Sequence, residues 1–194
     1  MARGTTFDQF RVTNGHVAFI NPDTSERGEQ YDIECTGSLS VDSETKTISK
    51  ICEGIATDEI SVIESMTVDL SGHMPVEVLR NVYGISTDGN IEGVYSFNRD
   101  SRGQVGTWTW DITSPFQTDR KLIAFPRLSV QGGLSWSLEN GGDEIAEVEI
   151  SFSALPDERG NLYYEAMESE VDNAVINKWH SEFSSELVEG VPSV

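Results

Sequence analysis

Between residues 144 and 154 the side chains alternate. Val148, Ile150 and Phe152 fall on one side of an extended chain, and Glu147, Glu149, Ser151 and Ser153 fall on the other, because successive residues of a strand point to opposite faces. Such a segment can bury one face and must leave the other wet. It therefore demands a sheet with a single apolar layer against it. The pattern recurs through Gly106–Met167. Trp108, Trp110 and Ile112 share one side of Gly106–Thr113, and Thr107, Thr109, Asp111 and Thr113 share the other. It also runs along residues 58–74, where Ile60, Val62, Met66, Val68 and Leu70 oppose Ser61, Ser65, Thr67, Asp69 and Ser71. Ile63 and Glu64 break that alternation, as a bulge or sheet edge would.

Composition narrows what such a sheet can do. At 194 residues with 37% hydrophobic content, four Trp, eight Phe and five Tyr, the chain can build a core and is no disordered polymer. No apolar run is long enough to span a bilayer, and the N-terminal MARGTTFDQFRV has no apolar signal core. Thirty-three acids against thirteen bases give a formal charge of −20. That excludes a conventional nucleic-acid binder, which neutralises phosphates with clustered Lys and Arg. It fits either simple solubility or a surface that must not retain a polyanion. Cys35 and Cys52 are read as two thiols of a cytosol-made chain, with a disulfide between them left open.

The remaining elements follow from turn and helix signals. Asn14-Gly15 reads as the turn of a short hairpin within residues 6–20. The stretch 21–34 is polar, contains Pro22 and Gly28, and reads as a loop or arm. Gly37–Val41 and Thr47–Cys52 read as strands joined near Asp42–Thr45. Pro75–Tyr83 is the best helix: Pro75 suits its start, Glu77 its first turn and Gly84 its end. Val76, Leu79, Val82 and Tyr83 give it an apolar stripe for a sheet. Strands are expected at Val94–Asn98, Gly106–Thr113, Lys121–Ser129, Gly133–Glu139 and Glu144–Ala154, with connections at Asp100–Gly103, Asn140–Gly142 and Pro156–Asn161. Residues 1–167 thus form one β-domain. In the acidic extension 168–194, Val171, Ala174, Val175, Trp179, Phe183 and Leu187 recur at helical steps. That extension is either a docked helix or an arm ordered by a neighbour.

Catalytic constellations are missing. His16, His73 and His180 are scattered and share no metal-ligand spacing. The chain has no nucleophile elbow, phosphate loop or dinucleotide fingerprint. Glu147 and Glu149 lie ~7 Å apart on one strand face, whereas catalytic carboxylates face each other across a cleft. Asp157–Asn161 lacks the spaced ligands of a calcium loop. Trp108 and Trp110 suit a core better than a sugar platform. No enzyme, cofactor or metal site is expected.

The order of these parts resembles the major tail protein, or tail tube protein, of phages with long non-contractile tails. The likeness covers about residues 34–167. It rests on the strand Ile60–Leu70 leading through GHMP into the helix, on GTWTWDITSPFQTDRKLIAFP and on EIAEVEISFSALPDERGNLYYEAM. The resemblance implies a β-sandwich of two packed antiparallel sheets with one flanking helix. It implies a virion protein, made in the host cytoplasm, whose hexameric rings stack into a tube, each subunit giving about four strands to a barrel around the lumen. Roughly twenty-four strands at ~4.8 Å spacing and ~40° tilt leave a bore near ~38 Å. Its implied partners are other copies of itself, the tape-measure protein and transient double-stranded DNA inside, and terminator and distal tail or baseplate proteins at the ends. On this reading Thr67, Asp69, Thr109, Asp111, Glu147 and Glu149 line the lumen. Asn21–Glu34, Arg99–Gln104 and the C-terminal tail make contacts between rings, and Arg99, Arg102, Arg120, Lys121 and Arg127 bridge subunits. The alternatives are a tail terminator or other virion structural protein, or a carbohydrate-binding or adhesion sandwich. The last needs Trp108, Trp110 or Trp136 exposed beside polar loop residues.

Overall fold

Two tryptophans one residue apart set the architecture. Trp108 and Trp110 stack with their ring centroids 5.8 Å apart, and both are buried completely or nearly so. At roughly 150–250 Å² of buried area each, they supply on the order of 4–6 kcal/mol of burial free energy apiece. A computed structural model of the chain describes residues 6–22, 24, 26–52, 55–116, 119–138, 140 and 145–190. It is mainly β. Eight antiparallel strands belong to one hydrogen-bonded network: β1 (Arg11–Ile20), β2 (Arg27–Ile33), β3 (Cys35–Cys52), β4 (Ile55–His73), β5 (Gly106–Thr113), β6 (Arg120–Val130), β7 (Val148–Ala154) and β8 (Tyr164–Met167). Their order is β2-β1-β5-β6-β7-β4-β3, with β8 also on β6.

The network folds over itself at β6. Trp108 is paired with Phe125, while Phe152 is paired with Val130. On a flat sheet those positions lie ~16 Å apart along β6 alone. The rings of Trp108 and Phe152 are nevertheless 4.9 Å apart. The bend falls at Pro126 and Arg127, which together oppose Thr107 because the β5–β6 register shifts there. This is a β-bulge, and its freed carbonyls are satisfied. Thr107 Oγ1 donates to the Pro126 carbonyl at 2.8 Å and the Leu155 amide donates to that of Arg127 at 2.8 Å. Both limbs thus send their apolar faces into one core that contains Val17, Phe19, Val68, Leu70, Phe125, Ile150 and Phe152.

The helix α1 (Val76–Tyr83) buries Val78, Val82 and Tyr83 against that core. Pro75 precedes it, and Gly84 ends it at φ 67°. A side chain at Gly84 would also strike the Arg102 carbonyl at 2.2 Å, so the loop returning from the helix requires glycine there.

Several local expectations give way to longer pairings. Asn14-Gly15 makes no turn, because β1 runs through it. Asn14 takes φ 54° and the β1–β5 register shifts between Thr13 and His16. The preference of Asn for positive φ makes a bulge here, rather than a hairpin. The expected arm 21–34 contains β2, paired along β1, and the turn is confined to Asn21–Glu26. Asp42–Thr45 is no connection either, since β3 continues through it opposite Thr67, Met66, Ser65 and Ile63. The bulge anticipated at Ile63–Glu64 is present: Glu44 pairs with Ser65 and Thr45 with Ile63, which leaves Glu64 unpaired. Val94–Asn98 contributes only the isolated bridge Ser86–Ser96. Leu134–Leu138 runs without a ladder. Glu139, most of the turn Asn140–Gly142 and Glu144 lie outside the described residues.

Gly15 tests the packing. A Cβ there would sit 2.6 Å from Trp110 Nε1, so Gly15→Ala must displace an indole from the core. The expected cost is about 1–3 kcal/mol in urea unfolding, against a negligible change for Gly133→Ser, where a side chain would meet only open space. Equal losses at the two positions would contradict the tight seat of Trp110.

Candidate functional site

The outer face of β4 and β7 is a continuous polar surface. Register places Thr67 beside Ser153, Asp69 beside Ser151 and Ser71 beside Glu149. Ser71 Oγ donates to Glu147 Oε2 at 2.7 Å, Ser151 Oγ donates to Asp69, and Gln131 Nε2 donates to Ser153 Oγ at 2.7 Å. Asp69, Glu147 and Glu149 are exposed and Thr67 is partly so. Four of the expected wall residues therefore share one wet, acidic face. Serine hydroxyls hydrogen-bond Glu147 and Asp69, and among the described residues these carboxylates form no ion pair.

Thr109 and Asp111 do not belong to that face. They lie on the outside of the other limb, beneath the C-terminal segment, with only 1% and 3% of their surface exposed. The reason is apolar. Trp179 and Phe183 seal against Leu122 and Ala124, and Trp179 Nε1 donates to the Ile123 carbonyl at 3.1 Å. The segment contains a 3-10 turn (Glu168–Glu170) and a short helix α2 (Asn173–Lys178), so its described part docks on its own domain. His180 Nε2 donates to Asp111 Oδ1 at 3.0 Å, and Thr109 Oγ1 lies 2.8 Å from His180 Nδ1. Arg120 Nη1 and Asn14 Nδ2 donate to Asp111 Oδ2 at 2.9 and 3.0 Å. Burial pushes the Asp111 carboxyl up, but His180, Asn14 and Arg120 together outweigh it and hold it below the usual carboxylate range. His16 joins from β1, its ring 4.7 Å from that of His180. Burial and the His180 charge lower its pKa, against the opposing pull of Asp32 and Asp111. The two histidines that looked scattered in the sequence thus meet. Among the described residues no three His, Cys, Asp or Glu side chains are grouped to hold a metal ion.

The five candidate bridging bases divide. Arg120 is committed within the chain, to Asp111 and, at 2.8 and 3.2 Å, to both carboxylate oxygens of Glu168. Lys121 pairs with Glu165 at 3.1 Å. Arg127 is exposed and donates to the Pro156 carbonyl at 3.3 Å. Arg99 and Arg102 are exposed and form no ion pair among the described residues.

The most conspicuous surface was not anticipated as one element. β3 and β4 pair as a ribbon from Cys35–His73 to Cys52–Ile55, and beyond Val41 every described β3 side chain is exposed. From Ser43 to Cys52 the ribbon extends ~30 Å. Ile48, Ile60, Val62 and Ile63 are 39–59% exposed along it. Alternation had placed Ile60 and Val62 on a buried face. That face continues past the point where a body exists to cover it, and only the length of the uninterrupted pairing could have signalled this. Cys35 and Cys52 stand at opposite ends of the 18-residue β3, far beyond the span of a disulfide within one chain, and Cys35 is a free, exposed thiol.

Trp108 and Trp110 are core residues, which removes them as a sugar platform. Trp136 is 72% exposed, in a shallow cleft with Ser135, Ser137 and Glu147. Among the described residues no helix is long and apolar enough to cross a membrane. The chain matches no protein-family model and no curated protein.

The Asp111 cluster carries a pH signature. His16, lowered when folded, favours the native state fully above its unfolded value near 6.5 and progressively less as pH falls below it. Asp111, also lowered, contributes fully above its ordinary carboxylate value and loses that contribution progressively as pH falls from there through its lowered folded value. Protection of 173–183 from hydrogen exchange is therefore expected to weaken in two stages on acidification. Asp111→Asn should cost about 1–3 kcal/mol at neutral pH, because it removes the carboxylate that accepts from Arg120, Asn14 and His180, although Arg120 keeps Glu168. Unchanged urea stability would rule out this role for Asp111.

Proposed function

We propose that the protein is a structural subunit that polymerises with copies of itself into a phage tail tube, as stacked rings around an acidic lumen. The observation that carries this reading is the β3–β4 ribbon. An isolated chain gains nothing from a projecting two-stranded hairpin with aliphatic side chains in water, whereas a polymer covers it. The free outer edge of β3 and the strand-patterned but unpaired Leu134–Leu138 support the same reading, because joining such edges between subunits ends the edge problem.

The β4–β7 face, with Thr67, Asp69, Glu147 and Glu149, is the lumen wall of this proposal. It repels a phosphate backbone within a Debye length of about 8 Å at physiological salt. Thr109 and Asp111 have no part in the wall. Arg99 and Arg102 remain as salt-sensitive bridges between subunits. The tube encloses the tape-measure protein and then DNA, ends at terminator and distal tail proteins, and is assigned no reaction and no cofactor. A terminator reading differs in stopping at one ring. Exposed Trp136 beside Ser135 and Ser137 is the single feature favouring a carbohydrate-binding module, and binding of a glycan there by the monomer would select that reading.

Electron microscopy of the purified chain over a concentration series is expected to show hollow stacked rings; compact particles throughout would refute polymerisation. Glu147→Lys combined with Glu149→Lys should leave tubes intact and slow DNA ejection severalfold in assembled phage. Normal ejection by that double variant would remove the lining role.

A further inference from the structure

The geometry points to a carboxylate-binding site at Arg27, in the cavity where the start of β2, the β6 bulge and the C-terminal segment meet. The site stands whether or not the chain polymerises. Arg27 opens β2 opposite Ile20. Its Nη2 donates to the His180 carbonyl at 2.7 Å. Its Nε and Nη1 are shielded from solvent and have no hydrogen-bond partner. Among the described residues these are the only buried side-chain nitrogens or oxygens left in that condition. Arg27 also forms no ion pair there. The acid whose charge reaches it is Glu182, and Glu182 is bound to Lys178 at 2.8 Å. Burying donors without acceptors is costly, and more so when they carry charge; here the burial pulls the Arg27 pKa down. A cation held in this way lacks its counter-ion.

Arg27 lines a cavity of about 270 Å³. Arg127 lines the same space, with Ile20, Pro126 and Phe183 as apolar walls. A few polar groups converging among apolar walls are the usual make-up of a small-ligand site. The volume is several times the ~30 Å³ share of one water, enough for a short carboxylate or a carboxylate-tipped side chain. The acids on the lining decide which anion fits. Asp157 is already satisfied, since Oδ1 accepts from the amides of Arg159 and Asn161 at 2.9 and 2.8 Å and Oδ2 accepts from the Tyr164 hydroxyl. Glu158 is exposed and forms no ion pair among the described residues. These two carboxylates repel the second charge of a phosphate, whereas a singly charged, planar carboxylate matches the guanidinium fork. The C-terminal segment also walls the cavity, through Phe183, Ser184 and Ser185, and Arg27 holds the same segment at His180. A carboxylate bound there therefore stabilises the docked segment, by the linkage that favours whichever form binds.

Two sources offer this chemistry: a free small carboxylate, and an acidic side chain of another copy of a chain with thirty-three acids. The full-length chain, labelled with nitrogen-15 and kept dilute, is titrated with sodium acetate while the Arg27 Nε–H signal is followed, with sodium chloride at equal ionic strength as the control. A saturable shift with acetate and none with chloride is expected, together with stronger hydrogen-exchange protection of residues 173–185. Arg27→Lys keeps the charge but loses the fork, and should weaken acetate binding at least about tenfold. Glu158→Gln, a change at an exposed position that leaves the fold alone, should strengthen it severalfold. A shift that appears without acetate when the chain is concentrated, and is lost in Arg27→Lys, assigns the carboxylate to a neighbouring copy. No shift under either condition would overturn the site. So would tighter binding of inorganic phosphate than of acetate, or a crystal structure grown with acetate that shows only water on Nε and Nη1.

Discussion

Everything in this fold depends on β6 being shared. Its one edge pairs with β5 from Arg120 to Leu128, with the bulge between. Its other edge is divided, Lys121–Ala124 going to β8 and Leu128–Val130 to β7. A strand can serve two limbs only if it changes direction between them, and the bulge at Pro126–Arg127 is that change. Proline has no amide hydrogen to give to a ladder, so the position where the ladder must break is occupied by the residue least harmed by the break. Without the bend, Trp108 and Phe152 could not meet, and α1 would have no closed core to cap.

The same bend explains why polar residues with similar sequence surroundings end in different places. Asp69 and Asp111 each alternate with apolar neighbours on their strand, so each must face away from the core. Because the limbs are folded against each other, facing away means opposite directions. Asp69 faces open solvent on one limb. Asp111 faces the surface that Trp179 and Phe183 require, and its charge there is met by hydrogen bonds from Arg120, Asn14 and His180 rather than by water. The burial of a carboxylate is thus a consequence of covering Leu122 and Ala124, and the surrounding donors offset its desolvation.

Much of this was legible in the sequence wherever one strand declares its own faces. Residues 106–113 were readable to the residue, and the helix ends were set by Pro75 and Gly84. Alternation also identified Thr67, Asp69, Glu147 and Glu149 as one polar set. What local pattern could not report was which partner covers which face. Asn14-Gly15 carries the dipeptide of a turn, yet the demand of Trp110 for space and the pairing with β5 keep β1 straight. Asp42–Thr45 carries turn residues, yet β4 is long enough to hold them in register. Thr109 and Asp111 were misplaced for the same reason: a segment about seventy residues later covers them, and no local rule encodes that.

The length of the β3–β4 ribbon also bears on how the chain folds. Its two strands adjoin in sequence, and local hairpins of this kind form within microseconds. In contrast, β1 must wait for β5, with β2, β3, β4 and α1 in between, and pairings across such separations form slowly. For an interval the newly made ribbon therefore exists before the body it projects from, flat and aliphatic, and able to pair with other nascent chains. Lys46, Lys50 and the bulge at Glu64 interrupt that surface, in the manner of gatekeepers against pairing between unfinished chains.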